Sequence, residues 1–368
     1  MFERRLGIAV YPEKMEMQAM KEYIDKAVKN NFSILWSALL QLDLNDNNSK
    51  TILKKYQEVF AYARSKSMKV TIDVNTRILK EIDFKNDLDF FVDLGVDVIR
   101  FDSPIEAINL SKLTFNDHNI SIELNMDNND FLVNDVLSYK PIYHRVRGSH
   151  NFYPQKNCGL TDDYYFETSK KFRALGLRTT AFVSSLNNQK VSNWEIDDNC
   201  CTLESLRGKD ITTQVTALWA SEMTDDIIIS NAYATNQELE ELGKLDRYIP
   251  EIKINLEKSA TKIDKQILEH EIHFRRGDVN PMFIRSTQSR VKFKAENFPV
   301  IKATQDFKKG DIVIGNNDFG LYKGELQLII NEVEKDSRKN LIAKVLSDQL
   351  FLLDYIKPWT RFKFQIIK

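Results

Sequence analysis

Short apolar runs rich in β-branched residues alternate with amphipathic helical segments over the first two thirds of this 368-residue chain. That beat constrains the fold more than any other feature. LGIAVYP (6–12), FSILWSALL (32–40), KVTIDVN (69–75), VDVIRFD (96–102), NISIELN (119–125), IYHRVRGSHNFYP (142–154), RTTAFVSS (178–185) and DDIIISNAYA (225–234) read as strands. Between the first two, Met17, Met20, Ile24, Ala27 and Val28 recur at helical spacing. After the second, Leu53, Tyr56, Val59, Phe60 and Ala63 do the same. Eight strand–helix units in about 245 residues match the arithmetic of a (β/α)8 TIM barrel. The strands are nearly continuous apolar runs, as strands covered on both faces should be. The competing architecture is an open doubly wound sheet, which places a glycine-rich turn after its first strand. Here that turn is YPEKMEM, without a glycine.

The pattern changes after about residue 246. YIPEIKINLEKS, MFIRSTQSR, DIVIGNNDFG, GELQLIINEV and PWTRFKFQIIK read as strands and turns, with IGNNDFG as a hairpin signal. The expected organisation is a barrel domain over 1–246 and a β-rich domain over 247–368. The fold class is therefore α/β, a TIM barrel followed by a small β-domain.

Composition narrows the function. Hydrophobic residues at 42% and charged residues at 29% support a packed core. A formal net charge of -1 argues against nucleic acid as the main partner, because a phosphate backbone demands a basic face. No apolar run approaches the roughly 18 residues of a membrane span, and the N-terminal segment lacks the long apolar stretch of a signal peptide. Cys158, Cys200 and Cys201 make no disulfide framework. The expected setting is the cytoplasm. The five histidines show no zinc-ligand spacing.

In such a barrel, substrates meet the C-terminal ends of the strands. Those ends carry Glu13, Asp73, Asn75, Asp102, Glu123, Asn125, His150, Asn151, Tyr153, Gln155, Ser184, Ser185 and Asn231. Singly, most have structural explanations. Asp102 could cap the helix that Ser103-Pro104 would open, and Glu13 could sit in a first helical turn. Asp73, Glu123 and Asn125 resist that reading, because each lies within or closes an apolar run. Acids and amides at nearly every strand end suit a sugar, with a carboxylate pair to cleave a glycosidic bond. Asp102 and Glu123 end neighbouring strands and form the first-choice pair, with Glu13 and Asp73 in reserve. Arg285, in FIRSTQSR, is the best charged candidate for a phosphate group.

Several ordered motifs together resemble one family. They are LGIAVYPEK, SALLQ, DVNTRILKEI, IRFD, IELN, SHNFYPQKNCGLT, RTTAFVSS, TLESLR, DDIIISNAYA, FIRSTQSR and GDIVIGNNDFGLYKGELQL. In this order they resemble the bacterial 6-phospho-N-acetylmuramidases over nearly the whole chain. The resemblance implies a TIM barrel followed by a cyclophilin-like β-barrel. It implies a cytoplasmic glycoside hydrolase of peptidoglycan recycling that needs no cofactor. Its substrate would be a phosphorylated amino-sugar disaccharide, the β-1,4-linked pair of N-acetylmuramic acid 6-phosphate and N-acetylglucosamine. Family positions at the strand ends match Glu13, Asp73, Asp102, Glu123, Asn125, His150, Asn151, Tyr153 and Arg285. The chain departs from the family pattern in the Ser103-Pro104 pair and in the loop NNQKVSNWEIDDNCC, which lacks a Gly-Pro after Lys190. A sugar-phosphate aldolase or isomerase, or a non-catalytic sugar-phosphate-binding protein, stands as the competing reading. The aldolase would want a Schiff-base lysine at a strand end, where this chain has none.

Overall fold

A computed structural model of the chain describes residues 2–46, 48–85, 87–102, 105–270, 272–301 and 304–367. The Ser103-Pro104 helix start falls outside them. The chain divides into two compact units, Met1–Leu218 with Glu222–Leu245, and Trp219–Ser221 with Asp246–Lys368.

The first unit is a closed barrel of eight parallel strands in sequence order. They are β1 (Arg5–Ala9), β2 (Ile34–Ala38), β3 (Lys69–Val74), β4 (Val98–Phe101), β5 (Ser121–Asn125), β6 (Val146–Ser149), β7 (Arg178–Val183) and β8 (Asp226–Ile229). Each matches one of the apolar runs. Helices run between them, from α1 (Met17–Lys29) and α2 (Ser49–Ser65) to α9 (Asn236–Lys244). Local chemistry sets their ends. Gly95, at φ 85°, stops the helix over Asp89–Leu94. Asn75 accepts a bond from the Ile78 amide and starts the helix over Thr76–Glu81. Thr235 and Glu238 close a capping box on α9.

The sixth strand is shorter than its sequence pattern, because Tyr143–Arg145 form a 3-10 turn and pairing begins at Val146. Gly148 lies where a Cβ would fall 2.5 Å from Phe172 Cδ1, so β6 packs flush against the helix over Asp162–Ala174. Side chains alternate across a strand, so Arg147 faces the opposite way, into the barrel.

The interior is where the structure departs from plain apolar strands. Register pairs Asp73 with Arg100, Arg100 with Glu123, and Glu123 with Arg147. An alternating belt of charge thus crosses β3, β4, β5 and β6. Arg100, Asp73 and Glu123 are each 2–3% exposed. A second cluster lies between β1, β7 and β8, where Arg5 and Arg178 hold Asp226 at 2.5 and 2.6 Å. Each charge has an opposite neighbour one strand away, which is what allows it to stay buried.

The second unit is a seven-stranded sheet in the order β10-β15-β9-β14-β12-β13-β11. Its strands are β9 (Glu251–Leu256), β10 (His273–Phe274), β11 (Phe283–Ser286), β12 (Asp311–Gly315), β13 (Leu326–Ile329), β14 (Lys339–Val345) and β15 (Arg361–Ile366). The sheet curls until its two edges meet. The Arg276 amide donates to the Arg285 carbonyl at 3.0 Å, and His273 Nδ1 lies 2.9 Å from Ser286 Oγ. The result is a nearly closed β-barrel. Its inner face carries Ile252, Ile254, Ile284, Ile312, Ile314, Leu326, Leu328 and Ile342. The IGNNDFG hairpin joins β12 to β13. MFIRSTQSR is not all strand, because Gln288–Lys292 form a helical turn after β11.

Candidate active site

A cleft of about 290 Å³ is lined by Leu40, Asp73, Arg100, Asp102, His150, Asn151, Phe152, Tyr153, Pro154, Phe182 and Trp194. These residues come from the C-terminal ends of the barrel strands and the loops after them. At its centre is Arg100, a residue that strand-end reasoning passed over because it sits inside β4. Its Nη1 donates to Asp73 Oδ2 at 2.7 Å and lies 3.5 Å from Asp102 Oδ1. Its Nη2 donates to Asn151 Oδ1. One buried guanidinium therefore gathers two carboxylates and an amide from three strands.

Burial pushes the Asp73 carboxyl up to about 7, against the pull of Arg100 and with the help of Asp102 and Glu123. Its Oδ1 has no hydrogen-bond partner among the described residues. Burial opposes the Arg100 charge, but Asp73, Asp102 and Glu123 more than offset that and raise its pKa. Asp102 is the accessible member, with its side chain 38% exposed. Asn125 Nδ2 donates to its Oδ1 at 3.3 Å. Because Asp73 Oδ2 and Asp102 Oδ1 lie 2.7 and 3.5 Å from the same nitrogen, they stand at most about 6.2 Å apart.

Glu123 sits beside Arg100 in register but is not among the residues that line the cleft. It is 2% exposed, accepts a bond from Thr180 Oγ1 at 3.3 Å and leaves Oε1 without a hydrogen-bond partner among the described residues. Burial raises its pKa, and Arg147 and Arg100 oppose the rise. Glu13 is also outside the cleft lining. Burial raises its pKa too, and its Oε1 has no hydrogen-bond partner among the described residues.

The SHNFYPQ segment is organised by Asp127, which sequence reasoning missed. Its Oδ1 lies 2.5 Å from His150 Nδ1. Its Oδ2 accepts from the Asn151 amide and from Tyr153 OH, both at 2.7 Å. Burial works against the Asp127 charge, but His150 and these donors together hold its carboxyl below the usual range. His150 is fully buried, with Nε2 2.8 Å from Ser169 Oγ. Both of its ring nitrogens are thus taken up by protein groups. Asn125 reaches the same carboxylate's backbone, accepting from the Asp127 amide at 2.9 Å. The only sequence signal for Asp127 was its place two residues after the IELN motif.

Aromatic rings form the apolar wall. Trp36, Phe152 and Phe182 pack mutually with centroids 5.1–5.4 Å apart. Trp194 joins them from the 186–201 loop, which Lys14 ties down by donating to the Ser192 and Asn193 carbonyls at 2.9 and 2.8 Å. Ser184, Ser185 and Asn231 are fully buried and bond to each other and to Gln214, Glu238 and Asp197, with Asn231 Nδ2 2.9 Å from Ser184 Oγ. Arg285 belongs to the second unit, where Glu325 takes its Nε and Nη2 at 2.9 and 3.0 Å.

A family model described as 6-phospho-N-acetylmuramidase, N-terminal, matches residues 6–244, and one described as 6-phospho-N-acetylmuramidase, C-terminal, matches residues 250–365. The crystal structure of an uncharacterized B. cereus protein is 38% identical, covering 99% of this chain and 100% of that one, with a TM-score of 0.90. A conserved Enterococcus faecalis protein with an unknown function is 21% identical over 98% of this chain and 96% of that one, with a TM-score of 0.71. No curated protein matches. Among the described residues, no helix is long and apolar enough to cross a membrane, and no three His, Cys, Asp or Glu side chains could hold a metal ion.

Proposed function

The chain belongs to the 6-phospho-N-acetylmuramidase family and is a glycoside hydrolase, and from that premise we propose that the barrel cleft cleaves the β-1,4 bond between N-acetylmuramic acid 6-phosphate and N-acetylglucosamine. The reaction would serve cytoplasmic peptidoglycan recycling, on a phosphorylated disaccharide. The observation that carries the reading is one buried guanidinium holding two carboxylates of unequal burial inside an aromatic-walled cleft.

The two carboxylates divide the labour by environment. Asp73, pushed up to about 7 by burial, keeps a proton near neutral pH and is the general acid for the leaving oxygen. Asp102, half-exposed and held by Arg100 and Asn125, is the nucleophile or base. Asp73 Oδ2 and Asp102 Oδ1 stand at most about 6.2 Å apart across Arg100 Nη1, a bound on one oxygen pair that admits the roughly 5–5.5 Å of retaining carboxyl pairs, so retention is the course to test. Asn151 and Asn125 keep the pair oriented, while Trp194 and Phe152 offer ring faces to the sugar. Glu123 is the rival partner for Asp102, at the next strand end. No lysine lines the cleft, which leaves an aldolase without its Schiff-base residue.

Incubation with phosphorylated and unphosphorylated muramyl disaccharides, followed by mass spectrometry, tests the reading. Release of N-acetylglucosamine from the phosphorylated substrate is expected. Cleavage of neither would remove the hydrolase assignment for this substrate, and equal cleavage of both would remove the phosphate requirement. Proton NMR of the first-formed anomer tests retention.

A further inference from the structure

Glu123 holds a place in the barrel that the proposed reaction leaves unused. It lies on β5 between two guanidiniums, in register with Arg100 on β4 and with Arg147 on β6. Thr180 Oγ1 donates to its Oε2 at 3.3 Å, while its Oε1, Arg100 Nε and Arg147 Nε have no hydrogen-bond partner among the described residues. Asp73 occupies the matching place on the other side of Arg100, on β3, and accepts from Arg100 Nη1 at 2.7 Å. Arg100 is thus the common neighbour of two buried carboxyls.

The belt of Asp73, Arg100, Glu123 and Arg147 is balanced by itself. Asp102, just past Arg100 in the chain, adds a third carboxyl 3.5 Å from Arg100 Nη1. Three carboxyls therefore face two guanidiniums. Arg5 and Arg178, the next cations along the interior, are both held by Asp226 and reach solvent with part of their side chains. A neutral belt then keeps one proton on a carboxyl. Burial pushes Asp73 up, Arg100 opposes it, and Asp102 and Glu123 add to the rise. Burial also pushes Glu123 up, against Arg147 and Arg100, with Asp226 adding to the rise. Asp73 and Glu123 stand two strands apart, about 9–10 Å by strand spacing. At that range inside a protein, one charge displaces the other's titration by about one pH unit.

We propose that Glu123 is a positioning residue for the barrel reaction, acting across Arg100 to keep on Asp73 the proton that the leaving oxygen needs. In this role it touches no substrate, since it is not among the residues that line the cleft. Its charge on the far side of Arg100 takes up part of the guanidinium's field, so less of that field is left to hold Asp73 ionised. The role rests on Asp73 being the general acid, and two measurements together separate it from that assignment.

The first measurement is the pH dependence of turnover of the phosphorylated disaccharide. The second is carboxyl-carbon NMR of the full chain labelled at aspartate, where the Asp73 resonance is the one missing from Asp73→Asn. Glu123→Gln removes the charge and should move both the falling limb of turnover and the Asp73 titration down by about half a pH unit or more. Glu123→Met removes the same charge, should move both the same way, and serves if Glu123→Gln misfolds. Glu123→Asp keeps the charge and should leave both nearer their wild-type positions. Limb and resonance that stay put in the neutral variants overturn the role, even where turnover or melting temperature falls, because that is the mark of a merely structural residue. A displacement as large in Glu123→Asp as in Glu123→Gln also overturns it, since side-chain length and not charge would then be at work. If the resonance moves and turnover does not follow it, Asp73 is not the acid, and the role falls with that reading.

Discussion

The barrel and the second unit each hold a cleft of about 290 Å³ floored by charged residues of a sheet, but they handle that charge in opposite ways. In the barrel, register sets acid against base across four strands, from Asp73 through Arg100 and Glu123 to Arg147. Charge there is balanced, and what varies is solvent access. That variation splits Asp73 from Asp102, and the proposed division into an acid and a nucleophile rests on it. In the second unit, Glu325 is shared by two guanidiniums, those of Arg285 and Arg290, and Lys339 lies over the rings of Phe283 and Phe319 with Asp336 and Glu325 as its opposing charges. Charge there converges on one saturated carboxylate, which gives no pair of carboxylates of unequal burial for bond cleavage. Carboxylates of unequal burial favour chemistry, and a carboxylate saturated by guanidiniums favours structure.

The sharpest way to break that contrast is at the carboxylates. Asp102→Asn and Asp73→Asn should each lower turnover of the phosphorylated disaccharide about 10³-fold, with far-UV circular dichroism unchanged. Glu123→Gln should cost less turnover than either. If it costs more while Asp73→Asn is nearly silent, the working pair is Asp102 with Glu123. Next comes Arg100→Met, which strips the partner from Asp73 and Glu123 and should cost about 3–5 kcal/mol of stability, read as a lowered denaturation midpoint in urea. In the second unit, Arg290→Ala leaves Glu325 its Arg285 bonds and should cost only about 1 kcal/mol.

A subtler comparison is the pH profile. Asp73 has its carboxyl raised to about 7, so its proton is present below that pH. Activity should fall as pH rises through about 7, and the same proton contributes stability that is full below the unfolded value near 4 and lost as pH rises through about 7. Asp73→Asn should flatten the stability curve over that window. A wild-type profile that stays level from pH 6 to 8.5 would assign the acid elsewhere. The smallest effect is expected at Asp127→Asn, which touches no cleft surface but orients Asn151 and Tyr153. It should lower kcat about 10-fold with little change in KM, whereas a purely structural role would move only the melting temperature.

Most of the barrel was legible because period and punctuation agree. Each apolar run became a strand, and Gly95, Asn75 and Thr235 stop or start helices where their chemistry requires. The sixth strand and the STQSR segment were harder, because short β-branched runs fit a turn as well as a strand. At the site, strand-end reasoning found Asp73, Asp102, Asn151 and Tyr153, all of which line the cleft. It missed Arg100 and Asp127. Arg100 sits within a strand, where an arginine reads as an oddity until its neighbours on β3 and β5 are known. Asp127 lies in a loop, where an aspartate reads as a turn former. Its bonds to His150 and Tyr153 join residues 23 and 26 positions away.

By itself, the sequence determined the periodicity, and therefore eight strands, their helices and the change to a β-rich second unit near residue 246. It also determined which strand ends carry acids and amides, because alternation and chain order are local properties. Only the tertiary structure decided which of those acids share a guanidinium and which is shut away from water. Register across neighbouring strands brings Asp73, Arg100 and Asp102 onto one nitrogen, and burial then separates carboxyls that are chemically alike. Both are long-range effects, set by residues 27 or more positions apart for the Asp73–Arg100 pair, and no local pattern encodes them.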